Sequence, residues 1–149
     1  MRAVVQRVSE CALRIDGKIF SEIGVGLLVL LGVEQEDTLE DAEYLVGKIS
    51  QMRIFSDEEG KMNRSVKDVN GEVLLVSQFT LHADTKKGNR PSFIKAARPE
   101  HAIPLYESAI VLFNEALEKQ TKTGQFGADM KISLVNDGPV TIIMDSKSK

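Results

Sequence analysis

The segment Asn136-Asp137-Gly138-Pro139-Val140-Thr141 constrains the fold more than any other part of the chain. Asp137-Gly138 is a tight-turn signal between strands, but a proline follows it where the next strand should begin. Proline has no N–H group for a sheet ladder, and an X-Pro bond is the one peptide bond that is often cis. Taken alone, the segment predicts a hairpin turn. The alternative is a rigid corner at a strand edge, with bare carbonyl groups that point outward and contact a small ligand.

The composition predicts one soluble globular domain over residues 1–149. Of these 149 residues, 42% are apolar and 28% are charged, which is enough for one buried core. The net charge of −3 argues against a protein that coats nucleic acid non-specifically. Cys11 is the single cysteine. It fits a reducing cytosol and is expected to be a small buried hydrophobe. The longest apolar run, 26–33, is too short to span a bilayer, so we expect a cytoplasmic protein without membrane contact.

Turn signals and hydrophobic periodicity divide the chain into short strands and two helices. The expected strands are 4–9, 12–15, 18–21, 26–33, 53–55, 72–80, 130–135 and 140–144. Asp16-Gly17 predicts a hairpin. Thr38, with Asp41 in a box-like arrangement, is expected to cap the first helix, and Pro99 to open a second that runs to about residue 119. The pattern predicts an α/β fold with a mainly antiparallel sheet, curled toward a barrel, and two packing helices.

The segment 77–84, Ser-Gln-Phe-Thr-Leu-His-Ala-Asp, begins in an apolar strand and continues into a polar loop. Such strand ends are common places for functional sites. One interpretation is a nucleophilic triad of Ser77 or Thr80 with His82 and Asp84. In an extended strand, however, residues two apart on one face are separated by about 7 Å, which is too far for a hydrogen-bonded relay. The strand geometry therefore disfavours the triad.

Two other interpretations of this segment need no side-chain nucleophile. In one, the hydroxyl groups satisfy only local backbone. In the other, backbone N–H groups around Gln78, Phe79 and Thr80 cradle a developing oxyanion. The two histidines, His82 and His101, lack further clustered ligands, so we expect neither a metal site nor another cofactor. His101 is expected to be exposed in the first turn of the second helix.

The only dense basic part of this acidic chain comprises Lys86, Lys87, Arg90, Lys95 and Arg98. A solvated loop is the ordinary interpretation of such a run. The functional interpretation is a phosphate-contacting edge beside the strand over 77–80. Farther along, Phe126 and Met130 are expected either to pack in the core or to line a pocket for a base or a side chain.

Together these segments closely resemble the D-aminoacyl-tRNA deacylases, nearly from end to end. The Ser-Gln-x-Thr motif of that family falls on residues 77–80, and its Asn-x-Gly-Pro-Val-Thr motif falls on residues 136–141. Either motif alone is short. Both in this order, with Arg-Pro-Ser-Phe at 90–93 between them, are specific.

The resemblance implies a hydrolase for the ester between a D-amino acid, or glycine, and the 3′-terminal adenosine of tRNA, including glycyl-tRNA mischarged on tRNA-Ala. It implies a homodimer in which a cis Gly138-Pro139 reaches into the partner's pocket and rejects L-residues by shape. The implied catalytic residues are Ser77, Gln78, Phe79 and Thr80. The implied substrate-binding residues are Arg7, Phe126, Met130, Asn136, Gly138 and Pro139, with Arg7 expected to hold the Gly-Pro turn.

The resemblance leaves open whether Thr80 is the nucleophile or only positions the ester carbonyl. The version we favour has the 2′-hydroxyl of the terminal ribose assist the attack of water. The protein then supplies orientation and an oxyanion site from backbone N–H groups near Gln78 and Phe79.

Two alternatives remain. One is a superfamily relative that edits L-alanyl-tRNA with a trans Gly-Pro, whose first motif typically begins with threonine, where this chain has Ser77. The other is a DNA-associated binding protein, a role for which some animal relatives carry a long C-terminal extension. This chain stops at Lys149, so duplex DNA is not an expected partner.

Overall fold

Eight strands, two α-helices and one 3₁₀ turn make up the structure, a computed structural model that describes residues 1–149. The elements are β1 (Arg2–Ile15), β2 (Lys18–Ile23), β3 (Gly26–Gly32), α1 (Leu39–Gln51), β4 (Phe55–Ser56), β5 (Met62–Arg64), β6 (Glu72–Ser77), the 3₁₀ turn (Phe79–His82), α2 (Pro99–Leu117), β7 (Lys122–Thr123) and β8 (Lys131–Asp145).

Six strands form the main sheet, in the order β2-β1-β3-β6-β7 with β8 also paired to β1. The pairs of β1 with β2, β3 and β8 are antiparallel, whereas β3–β6 and β6–β7 are parallel. The sheet is nearly closed, and two helices accompany it. The predicted α/β fold, a mainly antiparallel sheet curled toward a barrel with two packing helices, is confirmed.

Both faces of the central strand β3 are buried, which explains its unbroken apolar sequence. Leu27, Val29 and Leu31 belong to the main core, which also takes in buried residues of α1 and α2. Leu28 faces a smaller cluster that includes Cys11. Burial raises the pKa of the Cys11 thiol to about 11, so this residue packs as the small hydrophobe that the sequence predicts.

The hairpin at Asp16-Gly17 forms as predicted. Asp16 has φ 52° and Gly17 has φ 77°, and positive φ at both central residues is typical of the tight turns that join antiparallel strands. Ile15 pairs with Lys18 directly across it. The separate strands predicted at 4–9 and 12–15 are instead one strand of 14 residues.

The predicted final hairpin around Asp137-Gly138-Pro139 is wrong. Residues 131–145 form one strand, β8, and both of its halves pair with β1 rather than with each other. Thr141 pairs with Gln6 and Asn136 with Val8, so residues 137–140 leave the ladder opposite Arg7. We call these residues the corner. A proline cannot donate to a ladder, and the long partner strand β1 bridges the interruption.

The strand predicted over 72–80 is too long. β6 ends at Ser77 and a 3₁₀ turn begins at Phe79. Gln78, between them, has φ −145° and ψ 80°, which turns the chain out of the sheet.

The predicted capping of α1 is present and extends to the end of the chain. The Thr38 N–H donates to Asp41 Oδ2 over 2.8 Å. Lys147 Nζ, beyond β8, lies 3.0 Å from Asp41 Oδ1. Burial raises the pKa of Asp41, but hydrogen bonds from Ser146, Thr38 and Lys147 outweigh it and hold this pKa well below its usual range. Neither α-helix is both long enough and apolar enough to cross a bilayer.

The lowered pKa of Asp41 makes stability depend on pH. The stabilisation is complete above the unfolded-state pKa of about 3.9 and is lost as the pH falls through the folded-state pKa, at up to about 1.4 kcal/mol per pH unit. Asp41→Asn should therefore be less stable than wild type near pH 7, and the two should converge below about pH 4. Urea unfolding between pH 7 and pH 2.5 measures this difference.

The control is Glu40→Gln, which changes a first-turn carboxylate that makes no hydrogen bond or ion pair. Its difference from wild type should change much less with pH. A constant gap between wild type and Asp41→Asn would contradict the contribution assigned to Asp41.

Candidate functional site

A cavity of about 650 Å³ opens beside the end of β6. Its lining residues are Leu31, Val33, Val76, Ser77, Gln78, Phe79, Phe93, Ala96, Ala97, Arg98, Pro99, Ala102, Tyr106, Phe126, Gly127, Ala128, Asp129, Met130 and Ile132. An apolar lining with a few polar groups at one end is typical of small-ligand sites. A cavity of about 680 Å³ lies between β1, β2 and β8. None of the predicted site residues lines that second cavity, so volume alone does not identify the site.

The 650 Å³ cavity, which we call the site cavity, borders the start of the 3₁₀ turn, since Gln78 and Phe79 both line it. The Gln78 N–H cannot belong to the predicted cradle, because it donates to Leu31 O over 2.8 Å. Phe79 and Thr80 are the first residues of the turn, and the first N–H groups of a helix have no acceptor inside it. Of the predicted cradle over 78–80, two donors therefore remain.

The triad interpretation fails on geometry. His82 is buried, and its Nδ1 lies 3.3 Å from Glu34 Oε1. Asp84 Oδ1 accepts the Lys86 N–H over 2.9 Å. A 3₁₀ helix rotates by about 120° per residue, so side chains two apart point in different directions. The hydroxyl of Thr80 instead accepts a hydrogen bond of 2.6 Å from Gln78 Nε2.

The corner is an exposed loop with a fixed shape. The Gly138-Pro139 peptide bond is cis. At the base of the loop, Asn136 Oδ1 accepts the Val140 N–H over 3.2 Å, and Asn136 Nδ2 donates to Thr141 Oγ1 over 3.3 Å. Gly138 has φ 146°, and a Cβ on it would lie 2.7 Å from the backbone nitrogen of Val140. Only glycine fits this position without strain.

Arg7 fills the place opposite the corner and contacts it. Its Nε donates to Asp137 O over 2.8 Å, and its Nη1 donates to Ile54 O over 2.7 Å. The guanidinium also stands 6.0 Å from the centre of the Phe55 ring. Its side chain is only 13% exposed, so these partners fix its direction. Arg7 thus contacts the corner through Asp137.

The structure gathers the predicted site residues into two groups. Ser77, Gln78, Phe79, Phe126 and Met130 line the site cavity, with Thr80 beside them on the 3₁₀ turn. Arg7, Asn136, Gly138 and Pro139 form the corner or touch it.

The two groups lie at different places along β1. The 3₁₀ turn is tied to the start of this strand, because Arg2 Nη1 donates to Leu81 O over 3.0 Å. The corner stands opposite Arg7. Arg2 and Arg7 are about 17 Å apart along an extended strand. None of residues 137–140 lines the site cavity, so within one chain the corner is not part of that cavity.

Sequence reasoning missed Gly32 and Tyr106. A Cβ on Gly32 would lie 2.9 Å from Gln78 O, so the 3₁₀ turn rests directly on the backbone of β3. A glycine inside an apolar strand was the available signal, since it often marks a close approach of backbone. Tyr106 lines the site cavity, and its hydroxyl donates to Leu75 O over 2.7 Å. Burial raises the pKa of Tyr106 to about 12, so its hydroxyl stays protonated at neutral pH.

The basic loop (residues 84–98) forms part of the rim of the site cavity. Backbone hydrogen bonds between Asp84 and Ser92, of 2.7 and 2.9 Å, close part of it. Beyond them, Phe93 packs edge-on against Phe79, with ring centres 5.2 Å apart. The exposed cations of the basic loop that form no ion pair are Lys86, Lys87, Arg90 and Lys95.

His101, expected to be exposed, is half-buried with Nε2 2.8 Å from Asp37 O.

Comparisons with known proteins agree over nearly the whole chain. Residues 4–145 match the family model described as D-Tyr-tRNA(Tyr) deacylase. Proteins named D-aminoacyl-tRNA deacylase from Flavobacterium johnsoniae, Akkermansia muciniphila and Cytophaga hutchinsonii are 56%, 58% and 59% identical, over 100% of this chain and 99% of each relative.

Two solved structures share the fold. The c-Myc DNA Unwinding Element Binding Protein has a TM-score of 0.91 and 43% identity, over 97% of this chain and 98% of its own. A probable eukaryotic D-amino acid tRNA deacylase has a TM-score of 0.83 and 17% identity, over 96% and 97%. At that lower identity the likeness shows the fold alone.

Gly138→Ala should strain the corner. An alanine there combines an unfavourable positive φ with a contact to the Val140 backbone, and we expect a loss of about 1–3 kcal/mol in the free energy of unfolding. Urea denaturation measures the loss. The control is Gly24→Ala, where a Cβ meets nothing within 4 Å. Equal stability of the two variants would show that the corner does not need glycine.

Proposed function

The chain belongs to the D-Tyr-tRNA(Tyr) deacylase family, and on that premise we propose that a second copy of the chain completes its site. The protein is a hydrolase that acts on the ester bond of D-aminoacyl-tRNA. The observation that carries the proposal is that the corner does not line the site cavity of its own chain. A corner held rigid by Arg7 yet exposed is suited to meet a substrate bound to another subunit.

The site cavity takes the 3′-terminal adenosine of the tRNA. Its apolar lining includes Phe126 and Met130, and the Tyr106 and Phe126 ring centres stand 6.3 Å apart. Aromatic and apolar side chains of this kind bind the face of a nucleobase. With the base in the cavity, the ester of the terminal ribose lies near the 3₁₀ turn.

The chain's own groups then serve the hydrolysis by orientation and by hydrogen bonding. Water attacks the ester carbonyl, assisted by the ribose 2′-hydroxyl. The resulting oxyanion accepts hydrogen bonds from the N–H groups of Phe79 and Thr80. Collapse of this intermediate breaks the bond to the ribose oxygen, which takes up a proton, and releases tRNA and the D-amino acid.

Thr80 orients the ester rather than attacking it. Gln78 Nε2 donates to its hydroxyl oxygen, which leaves the hydroxyl hydrogen free to contact the ester carbonyl. His82 does not take that hydrogen, because its side chain is buried beside Glu34. A threonine hydroxyl without an adjacent base is a weak nucleophile.

Chirality is selected by shape at the partner subunit's Gly138 and Pro139. In the proposed dimer these residues stand against the α-carbon of the substrate. A D-residue directs its side chain away from them, and an L-residue directs it into them. A site that works by steric exclusion can bind many different D side chains and still reject the L forms. Glycine has no side chain to collide, so glycyl-tRNA, including that mischarged on tRNA-Ala, is also hydrolysed.

The basic loop contacts the phosphate backbone of the tRNA. We place the protein in the cytoplasm. The net charge is −3, so phosphate contacts must come from local cations such as Lys86, Lys87 and Arg90. Binding should therefore be modest and should weaken as salt rises.

The two alternative functions have direct tests. The 43% identical structure is named for binding a DNA unwinding element, and a gel shift on duplex DNA tests that role here, for which we expect no complex. An L-alanyl-tRNA editing activity would appear as hydrolysis of L-alanyl-tRNA. We expect none, because Ser77 stands where such relatives typically begin the motif with threonine.

Thr80→Ala should keep substantial deacylation, because the proposed attack uses water and the ribose hydroxyl. We expect a single-turnover rate on D-tyrosyl-tRNA within about 100-fold of wild type, the scale of one lost positioning contact. Substrate with a terminal 2′-deoxyadenosine should react far more slowly. A Thr80→Ala rate equal to that of the no-enzyme blank would show that Thr80 is the nucleophile.

Mixed dimers test whether the site is shared. Gly32→Ala should displace the 3₁₀ turn of one chain and Gly138→Ala the corner of the other, so each homodimer should lose activity. The co-expressed heterodimer holds one intact site and should recover about half of the wild-type activity per dimer. Purification tags belong at the C-terminus, because the Met1 ammonium is buried against Asp37 at 2.7 Å.

If turn and corner act within one chain, every site of this heterodimer carries one defect. Activity no higher than that of the two homodimers would then refute the shared site.

A further inference from the structure

We infer that His82 and Glu34 form a positioning pair that fixes the 3₁₀ turn against both walls of the site cavity. The inference rests on the proposed role of the Phe79 and Thr80 N–H groups. His82 was expected to be a triad member or to have no role, and the mechanism above does not use it. It is nevertheless the last residue of the same turn.

His82 is unusually buried for a polar residue. Its side chain is fully buried, and neither ring nitrogen makes a well-formed hydrogen bond. A buried polar group without a partner is costly. Oε1 of Glu34 lies 3.3 Å from its Nδ1. Hydrogen bonds at catalytic sites are often long without substrate and tighten in the complex.

The His82 ring is wedged between the turn and β3. A Cβ on Gly32 would lie 3.0 Å from His82 Cδ2 and 3.0 Å from Leu81 Cβ. The ring therefore rests on bare backbone and cannot move toward the sheet. At the start of the turn, the Gln78 N–H is bound to Leu31 O. The turn is thus held at both ends, by a backbone bond before it and by the His82 ring at its end.

Glu34 connects this end of the turn to the wall of the site cavity that contains Phe93, Ala96 and Ala97. Glu34 forms an antiparallel bridge with Ala96, and its N–H donates to Asp37 Oδ2 over 2.7 Å. The Ala97 N–H donates to Val33 O over 2.8 Å. Ala96 and Ala97 line the cavity. A carboxylate anchored in this way sets the distance between the turn and the wall that carries Phe93.

The test compares His82→Leu with His82→Asn in single-turnover deacylation of D-tyrosyl-tRNA. Leucine fills the buried space but has no ring nitrogen, whereas the amide of asparagine can replace Nδ1. We expect His82→Leu to lower the saturating rate about tenfold or more, since small misplacements have large catalytic effects. The half-saturating enzyme concentration should change less than about twofold. His82→Asn should recover most of the rate.

Two further variants make the test specific. His101→Asn changes the other histidine, which contacts Asp37 rather than the turn, and should react like wild type. Glu34→Gln removes the partner charge without cutting into the core, so it carries the test if His82→Leu does not fold. It should lower the saturating rate in the same way, and its effect should not add to that of His82→Leu.

Amide NMR signals separate a failure of this inference from a failure of the proposed mechanism. In folded His82→Leu, or in Glu34→Gln, the Phe79 and Thr80 amide signals should shift. Unmoved signals together with a rate within twofold of wild type would overturn the positioning pair. Shifted signals with an unchanged rate would support the hold of the pair on the turn and would instead contradict the proposed role of the two N–H groups.

Discussion

The break in the β1–β8 ladder opposite Arg7 is the constraint on which the rest of the site depends. Both halves of β8 remain paired with β1, so the interrupted strand keeps its register while residues 137–140 stand outside the sheet. Across the break the guanidinium of Arg7 donates to Asp137 O, and a second bond, to Ile54 O, holds the guanidinium in place. A backbone loop that a folded sheet holds in this way is stiff without being buried, which is what selection by shape requires.

The close contact between the 3₁₀ turn and the β3 backbone at Gly32 positions the turn. The 3₁₀ turn rests on the β3 backbone so tightly that a methyl group on Gly32 would meet Gln78 O, Leu81 and His82. This contact fixes the start of the turn beside the site cavity, which Phe79 lines. The corner and the turn are thus placed by the same sheet but about 17 Å apart along β1. A second copy of the chain resolves that separation in the account proposed here.

Short sequence motifs predicted the turns and helix caps that depend only on neighbouring residues. Asp16-Gly17 and the Thr38–Asp41 box each satisfy their own backbone, so four or five residues suffice to predict them. The path of 131–145 was not predictable in this way, because the partner that keeps it one strand is β1, more than a hundred residues earlier. The two motifs predicted residues 77–80 and 136–141 as parts of the site. Gly32 and Glu34 were missed because their importance comes from what packs on them.

The most direct measurement is a crystal structure with a non-hydrolysable D-aminoacyl analogue of the terminal adenosine, in which an amide replaces the ester. The account predicts a dimer with the adenine beside Phe126 and Met130, and the carbonyl oxygen within hydrogen-bond distance of the Phe79 and Thr80 N–H groups. The α-carbon should lie against the partner subunit's Pro139. A bound analogue whose α-carbon meets only its own chain, with every Gly138-Pro139 in solvent, would contradict it.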